Sequence, residues 1–162
     1  MLPGYFRKKI FKKTNICFVP TNYSILPKNN HPTLSNFDNQ KKICKKFNDI
    51  KEEIAFKTYP KLIKLLKTKY SKNKVFNFLD FGGDQIDQYF VLKKNFPNIR
   101  YFVFNQKVIN DDFIRLKELY DYKDLIVISN LKEISLNHFD FVNFGSVLQY
   151  VDNYDVILNK IL

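Results

Sequence analysis

The stretch from Val75 to Asp87, VFNFLDFGGDQID, carries the residues of this chain that are best suited to hold a ligand. Its apolar run ends at Asp80, and Gly82 and Gly83 follow before a segment that can begin a helix. A buried parallel strand that leads through a glycine turn into a helix forms the ligand crevice of open α/β sheets. We expect the glycines to leave an open shelf, because a side chain there would keep a ligand away from the backbone.

The acidic residues beside this turn discriminate between classes of ligand. A dinucleotide site needs the pattern GxGxxG, with the start of the helix facing a pyrophosphate. Here there is no third glycine, and Asp84 and Asp87 would repel a phosphate group. Carboxylates favour instead a ligand with a cationic group and no phosphate, such as S-adenosylmethionine, which has a sulfonium and an ammonium group. A strand–helix turn that binds no ligand is the alternative.

A protein-kinase interpretation of the DFG letters fails on context. Neither an HRD-type catalytic loop nor a glycine-rich ATP loop precedes them in the sequence. From residue 75 onward, strand-like and helix-like segments alternate, which predicts an α/β fold with a parallel sheet. The predicted strands are residues 75–81, 99–104, 125–129 and 139–144; the predicted helices are residues 86–94, 110–120 and a last helix capped by Asp152 or Asn153, with a turn or short helix at 131–137.

Two helices and an extended arm are predicted before the sheet. Four prolines and no helical period in the first 32 residues indicate an extended, basic arm over residues 1–36. Apolar residues at spacings of three and four predict an amphipathic helix from Phe37 to about Ile54, and Pro60 suits the first turn of a second helix. The predicted units are therefore the arm at 1–36, a helical segment at 37–74 and a partial Rossmann-like domain at 75–162.

The net charge of +11 is concentrated in the front half of the chain. Residues 1–74 contain 18 Lys/Arg against 4 Asp/Glu, a net charge of +14, whereas residues 75–162 have a net charge of −3. Such basicity favours an anionic partner: an acidic glycan, nucleic acid or lipid headgroups. In the last case the N-terminal lysines would contact a membrane peripherally. Only three of the basic residues are arginines, which disfavours nucleic acid, since bidentate phosphate and base contacts prefer arginine. Solvated lysines that reflect AT-rich coding are the alternative.

Neither a membrane span nor a secretory signal is predicted. The longest apolar runs fall short of the ~20 residues that a span requires, and the first residues lack the apolar core of a signal peptide. The sequence thus predicts a cytoplasmic protein. Cys17 and Cys44 are far apart and near neither histidine, which does not fit zinc-ligand spacing. Cys44 falls at an apolar helical position, which predicts packing in the core.

Three segments, in order, resemble motifs of class I S-adenosylmethionine-dependent methyltransferases: LDFGG, YFVFNQ about twenty residues later, and FDFVNFGSVLQYVDN. More narrowly, residues 59–162 resemble a methyltransferase family of bacterial surface-polysaccharide gene clusters. The resemblance implies a strand order of 3-2-1-4 and an enzyme that acts on a sugar or a surface-glycan precursor. Since the full fold has further strands, it also implies a chain truncated at its C-terminus. The fourth strand would then be an exposed edge that could pair with a second copy.

The resemblance also implies where S-adenosylmethionine would bind, at the carboxyl ends of the four strands. The implied cofactor-binding residues are Asp80, Gly82 and Gly83 at its methionine part, Asn105 at the ribose, Ser129 and Asn130 at the adenine, and Phe144 and Gly145 beside the reacting methyl group.

Two residues depart from the family pattern. Ile86 replaces a further glycine, and Asn105 offers an amide oxygen where the family has a carboxylate, which is the stronger acceptor. No residue stands out as a general base for methyl transfer to an oxygen. Two alternatives therefore accompany the methyltransferase interpretation: a degenerate relative without activity, and a lysine-rich binding module for an anionic partner.

Overall fold

The computed structural model describes residues 37–49, 59–136, 138–144, 147 and 154–161. The helices and strands in this part of the chain are α1 (Phe37–Asp49), α2 (Pro60–Lys69), β1 (Phe76–Phe81), α3 (Asp87–Asn95), β2 (Ile99–Phe104), α4 (Lys107–Tyr120), β3 (Leu125–Ile128), α5 (Leu131–Leu136), β4 (Phe141–Phe144) and α6 (Tyr154–Ile161). The predicted arm at 1–36 and the predicted caps Asp152 and Asn153 lie outside the described residues, as does the predicted extension of α1 to Ile54.

The four strands form one parallel sheet in the order β3-β2-β1-β4. This confirms the predicted α/β fold, a Rossmann-like sheet with flanking helices. β1 lies between β2 and β4, and it pairs with β2 from Phe76↔Ile99 to Phe81↔Phe104. β4 is an edge of the sheet among the strands that the structure describes. The central position of β1 places the glycine turn that follows it between the carboxyl ends of two neighbouring strands.

Alternating strand side chains build a separate core on each face of the sheet. On the first face, helices α1 to α4 pack around the rings of Phe78, Tyr101 and Phe141, which stack across β1, β2 and β4 at centroid distances of 5.4 Å. On the second face, α5 and α6 pack against Leu79 and Phe102. Helices α1 and α2 thus share a core with the sheet, and the fully buried Cys44 of α1 confirms its predicted packing role.

The helix predicted to open at Asn110 begins one turn earlier, at Lys107. Asn110 is only 4% exposed, and its Oδ1 accepts a hydrogen bond from the backbone N–H of Asn105 at 3.0 Å. Its Nδ2 donates to the carbonyl oxygens of Asn105 and Ile128 at 3.0 and 2.9 Å. The prediction was wrong because Asn110 serves as a buried bridge between α4 and the ends of β2 and β3, rather than as a helix cap.

Other predicted bounds agree within two residues. Helix α2 begins at Pro60 and β2 spans Ile99–Phe104, as predicted. Strand β4 begins at Phe141 instead of residue 139, because the Asp140 carboxylate accepts a hydrogen bond from the backbone N–H of Asn77 at 2.8 Å, in place of a ladder carbonyl. Among the described helices, none is long and apolar enough to cross a membrane.

Candidate functional site

Asp80 lies near the carboxyl end of β1 with 2% of its surface exposed. The Tyr101 hydroxyl donates a hydrogen bond to its Oδ2 at 2.6 Å, and Nδ2 of Asn143 donates to its Oδ1 at 2.9 Å. Burial raises the pKa of Asp80 to about 6, although these two hydrogen bonds lower it. The ionised carboxylate is therefore held inside the sheet by neutral donors from both neighbouring strands.

Two further carboxylates lie near Asp80: Asp84 in the loop before α3 and Asp87 at the first residue of α3. Asp84 is exposed, and Asp87 is half-buried, so that burial raises the pKa of Asp87. The charges of Asp84 and Asp87 also raise the pKa of Asp80, which shows that the three carboxylates lie within electrostatic reach of one another. We call Asp80, Asp84 and Asp87 the acidic cluster.

Tyr59 contacts the acidic cluster from the start of α2. Its hydroxyl donates to Oδ1 and Oδ2 of Asp87 at 3.1 and 3.3 Å. Burial, followed by the Asp87 charge, raises the pKa of Tyr59, so that it stays a neutral donor at physiological pH. Its backbone is left-handed at φ 59°, a conformation that few residues other than glycine adopt. The surrounding packing therefore holds this hydroxyl against Asp87 at some cost in backbone strain.

Both glycines of the turn are occupied by the protein's own side chains. Gly82 has φ +83°, and a Cβ atom there would lie 2.5 Å from Cβ and Cγ2 of Val147. A Cβ atom at Gly83 would overlap the carboxylate of Asp80. The prediction of an open shelf is therefore wrong at Gly82, because Val147 fills the space that the missing side chain leaves. The glycines are needed for internal packing whether or not a ligand binds.

Asn105 ties the glycine turn to the end of β2. Its Nδ2 donates to the carbonyl oxygen of Gly83 at 2.7 Å, and its Oδ1 accepts from the backbone N–H of Gln106 at 2.7 Å. The backbone N–H of Gly82 donates to the carbonyl oxygen of Phe104 at 2.7 Å. Asn105 thus lies where the sequence predicts a ribose contact, with one of the two lone pairs of Oδ1 already used. The ribose role stays a prediction.

Ser129 and Asn130 follow β3, as predicted, and both are exposed. Oδ1 of Asn130 accepts hydrogen bonds from the backbone N–H groups of Lys132 and Glu133 at 3.0 and 3.2 Å. The Glu133 carboxylate in turn accepts from Nδ2 of Asn130 and from the backbone N–H of Ser129. The side chains of Asn130 and Glu133 therefore cap the start of α5. The contact of Ser129 and Asn130 with adenine stays a prediction.

Phe144 ends β4 on the face of the sheet that α5 and α6 cover. Its ring lies 5.2 Å from that of Phe81, which lies 5.0 Å from that of Phe104, so that three rings form a row across β4, β1 and β2. Phe81 is buried, whereas Phe104 and Phe144 are half-buried. Gly145, the last of the predicted cofactor residues, lies outside the described residues, as do Ser146 and residues 148–150 of the SVLQY motif.

The structure adds five residues to the predicted set of site residues: Gln40, Tyr59, Tyr101, Asn143 and Val147. A signal existed for three of them. Val147 belongs to the SVLQY motif, and Tyr101 and Asn143 fall on strand positions that face the same side of the sheet as Asp80. Gln40 and Tyr59 come from helices before the sheet, and no local pattern connects them with the glycine turn. Each of these five residues contacts the acidic cluster, the glycine turn or the loop that follows the turn.

The fold and these contacts define a Rossmann-like α/β domain with an acidic cluster at the carboxyl end of its central strand. No protein-family model matches the chain, and no curated protein matches it. Among solved structures, a crystal structure of a point mutant of MtNAS is similar to it, with a TM-score of 0.48 and 15% sequence identity. The similarity covers 77% of this chain and 50% of that chain, so the present chain spans half the length of the MtNAS chain that it matches.

Proposed function

We propose that the domain binds a cationic cofactor of the S-adenosylmethionine type at the carboxyl end of β1. The acidic cluster is the observation that carries this proposal. Asp87 is the first residue of α3 and Asp84 lies in the loop three residues before it, so both stand near the helix end that attracts anions, where a phosphate-binding domain would keep the surface free of carboxylates. A sulfonium or ammonium group is attracted by these carboxylates, whereas a pyrophosphate is repelled by them.

The residues around the turn fit such a cofactor in charge but not fully in shape. Asp84 and Asp87 would hold its cationic groups, and the second lone pair on Oδ1 of Asn105 would accept a hydrogen bond from a ribose hydroxyl. The space above Gly82 is filled by Val147, so a ligand could approach the backbone there only after Val147 is displaced.

When bound, S-adenosylmethionine supplies an electrophilic methyl group. The resemblance of residues 59–162 to methyltransferases of polysaccharide gene clusters supports a sugar or surface-glycan precursor as its acceptor. Transfer to a hydroxyl requires a group that takes the proton. Asp80 is buried and already accepts two hydrogen bonds, so we do not assign it this role. The site residues therefore support cofactor binding, and the choice of acceptor rests on the resemblance alone.

A second candidate is a domain that keeps the fold and has lost the cofactor. The contact of Val147 with the Gly82 position favours it, and so does Ile86, which is fully buried where the related family has a glycine. In this case the acidic cluster would have only a structural role.

Isothermal titration of the full chain with S-adenosylhomocysteine at pH 7.5 separates the two candidates. Cofactor binding predicts a micromolar Kd, which corresponds to about −8 kcal/mol. Asp84→Asn should weaken binding about tenfold, or ~1.4 kcal/mol, whereas Asp155→Asn on the exposed side of α6 should leave the Kd unchanged. Absence of heat at millimolar concentrations of both S-adenosylhomocysteine and S-adenosylmethionine, which adds the sulfonium charge, would refute cofactor binding. Binding that appears only in Val147→Ala would identify Val147 as the cause of the loss.

A further inference from the structure

Gln40 of α1 contacts the backbone of the segment that follows the glycine turn. Its side chain is buried, its Oε1 accepts a hydrogen bond from the backbone N–H of Ile86 at 2.9 Å, and its Nε2 donates to the carbonyl oxygen of Asp84. A carboxamide can satisfy both groups because it donates and accepts at once. A side chain that lies 36 positions before the first residue of β1 in the chain therefore fixes the backbone next to the acidic cluster.

Packing on both sides of Gln40 fixes the position of α1. Near the start of the helix, the guanidinium group of Arg115 lies 3.7 Å from the ring centroid of Phe37. Near its end, the ring of Phe47 stacks on that of Phe90 at 4.9 Å. These contacts join α1 to α4 and α3, the two helices that follow β1 and β2. The amide of Gln40 is thus presented to the loop from a helix that cannot shift freely.

The loop between Gly83 and Ile86 depends on such outside contacts. Ile86 stands at the N-cap position of α3 and provides no side-chain cap. The carbonyl oxygen of Gly83 is held by Asn105, and the carbonyl oxygen of Asp84 and the N–H of Ile86 are held by Gln40. Asp84 therefore lies between two anchored peptide groups, and its exposed side chain projects from the backbone between them.

We propose that Gln40 is a positioning residue for the cationic ligand, and this rests on the proposed function. By holding the peptide groups on both sides of residue 85, Gln40 fixes the backbone from which the Asp84 carboxylate projects. An ion pair gains from a fixed carboxylate because less side-chain and loop freedom is lost when the ligand binds. Helix α1 is thus part of the binding site, although Gln40 does not itself contact the ligand.

Three variants test this role. Gln40→Leu keeps the bulk of the side chain and removes both hydrogen bonds, and Gln40→Glu keeps the acceptor for Ile86 but loses the donor for Asp84. The matched control is Asn48→Ala on the same helix, which removes the 3.3 Å hydrogen bond to the Tyr122 hydroxyl, away from the loop.

Two measurements on the full chain, made where all variants are folded, separate positioning from simple stabilisation. Without ligand, hydrogen exchange of the Ile86 amide should be at least about tenfold faster in Gln40→Leu than in wild type and in Asn48→Ala. Titration with S-adenosylhomocysteine should give a Kd about tenfold weaker for Gln40→Leu, an intermediate Kd for Gln40→Glu, and an unchanged Kd for Asn48→Ala.

The failures are distinguishable. If wild type binds S-adenosylhomocysteine and Gln40→Leu binds it equally well, the positioning role is overturned while the proposed function stands. An Ile86 amide that exchanges equally in wild type and Gln40→Leu would overturn the anchoring of the loop itself. If wild type does not bind, the proposed function fails, and the positioning role fails with it. Should Gln40→Leu not fold, the Kd comparison is made with Gln40→Glu, whose loss of the donor to Asp84 predicts a weaker Kd than that of wild type.

Discussion

Replacement of Asp80 by asparagine should remove a large part of the pH dependence of folding. Asparagine has the same shape and keeps an oxygen for the amide of Asn143, while the Tyr101 hydroxyl can accept a hydrogen bond from the new amide nitrogen. What the variant loses is a negative charge that is buried against neutral donors. Burial raises the pKa of the Asp80 carboxyl from its ordinary value of 3.8 to about 6.

The sign follows from the direction of this shift. A carboxyl with a higher pKa in the folded state binds its proton more tightly when folded, so its stabilising contribution is complete below about pH 4 and is lost as the pH rises through about 6. A shift of about two pH units corresponds to about 3 kcal/mol. Wild type should therefore lose ~3 kcal/mol of unfolding free energy between pH 4 and 7 that Asp80→Asn retains.

Urea unfolding at pH 4, 5, 6 and 7 measures this difference. Wild type, Asp80→Asn and the control Glu118→Gln, which changes an exposed carboxylate of α4, are compared at each pH. We expect the free-energy difference between Asp80→Asn and wild type to shift by about 3 kcal/mol across this range in favour of the variant. Glu118→Gln should follow wild type. Parallel curves for wild type and Asp80→Asn would refute a buried, destabilised carboxylate in β1.

Gly82→Ala should destabilise the fold by about 2–4 kcal/mol in urea unfolding, because φ is +83° and the new methyl group would meet Val147. Adding Val147→Ala in the same chain should restore part of this loss. An unchanged unfolding free energy in Gly82→Ala alone would contradict the contact between Val147 and the Gly82 position. Asn110→Ala should lower the unfolding free energy by about 3 kcal/mol, since it removes the side-chain partners of the Asn105 N–H and of the carbonyl oxygen of the buried Ile128. An unchanged Tm would argue against the buried bridge made by Asn110. Pairing of the edge strand β4 between two copies predicts a mass that rises from one chain to two with concentration in analytical ultracentrifugation; one chain at all concentrations would exclude the dimer.

The sheet could be predicted from the sequence because each strand is a short apolar run bounded by polar or glycine residues. Most residues of Phe76–Phe81 and Ile99–Phe104 are buried, on both faces of the sheet, and such strands need no strict alternation to be recognised. The start of α4 could not be predicted, since Asn110, which resembles a cap, is used for contacts with the ends of β2 and β3. Caps and buried bridges use the same residue types, and only the tertiary structure decides between them.

The site was predictable only where one segment contains it. Asp80, the two glycines and the acidic start of α3 are consecutive in sequence, and their charge and spacing indicate a cationic ligand. Gln40 reaches the same loop from 44 residues away, and no local pattern announces such a contact. The closure of Gly82 by Val147 was also hidden, because a glycine that makes room for a ligand and one that makes room for a side chain look alike in sequence. An anionic partner for the lysine-rich front half stays a prediction.

A map of backbone amide chemical shifts during titration of the ¹⁵N-labelled full chain with S-adenosylhomocysteine tests the proposed cofactor site most directly. Binding at this site should give saturable shifts at Gly83, Gln85 and Asn105, around the acidic cluster, and none along the distant end of β1 near Phe76. Shifts that scatter over the surface without saturation, or no shift at millimolar ligand, would contradict a cofactor site at the end of β1.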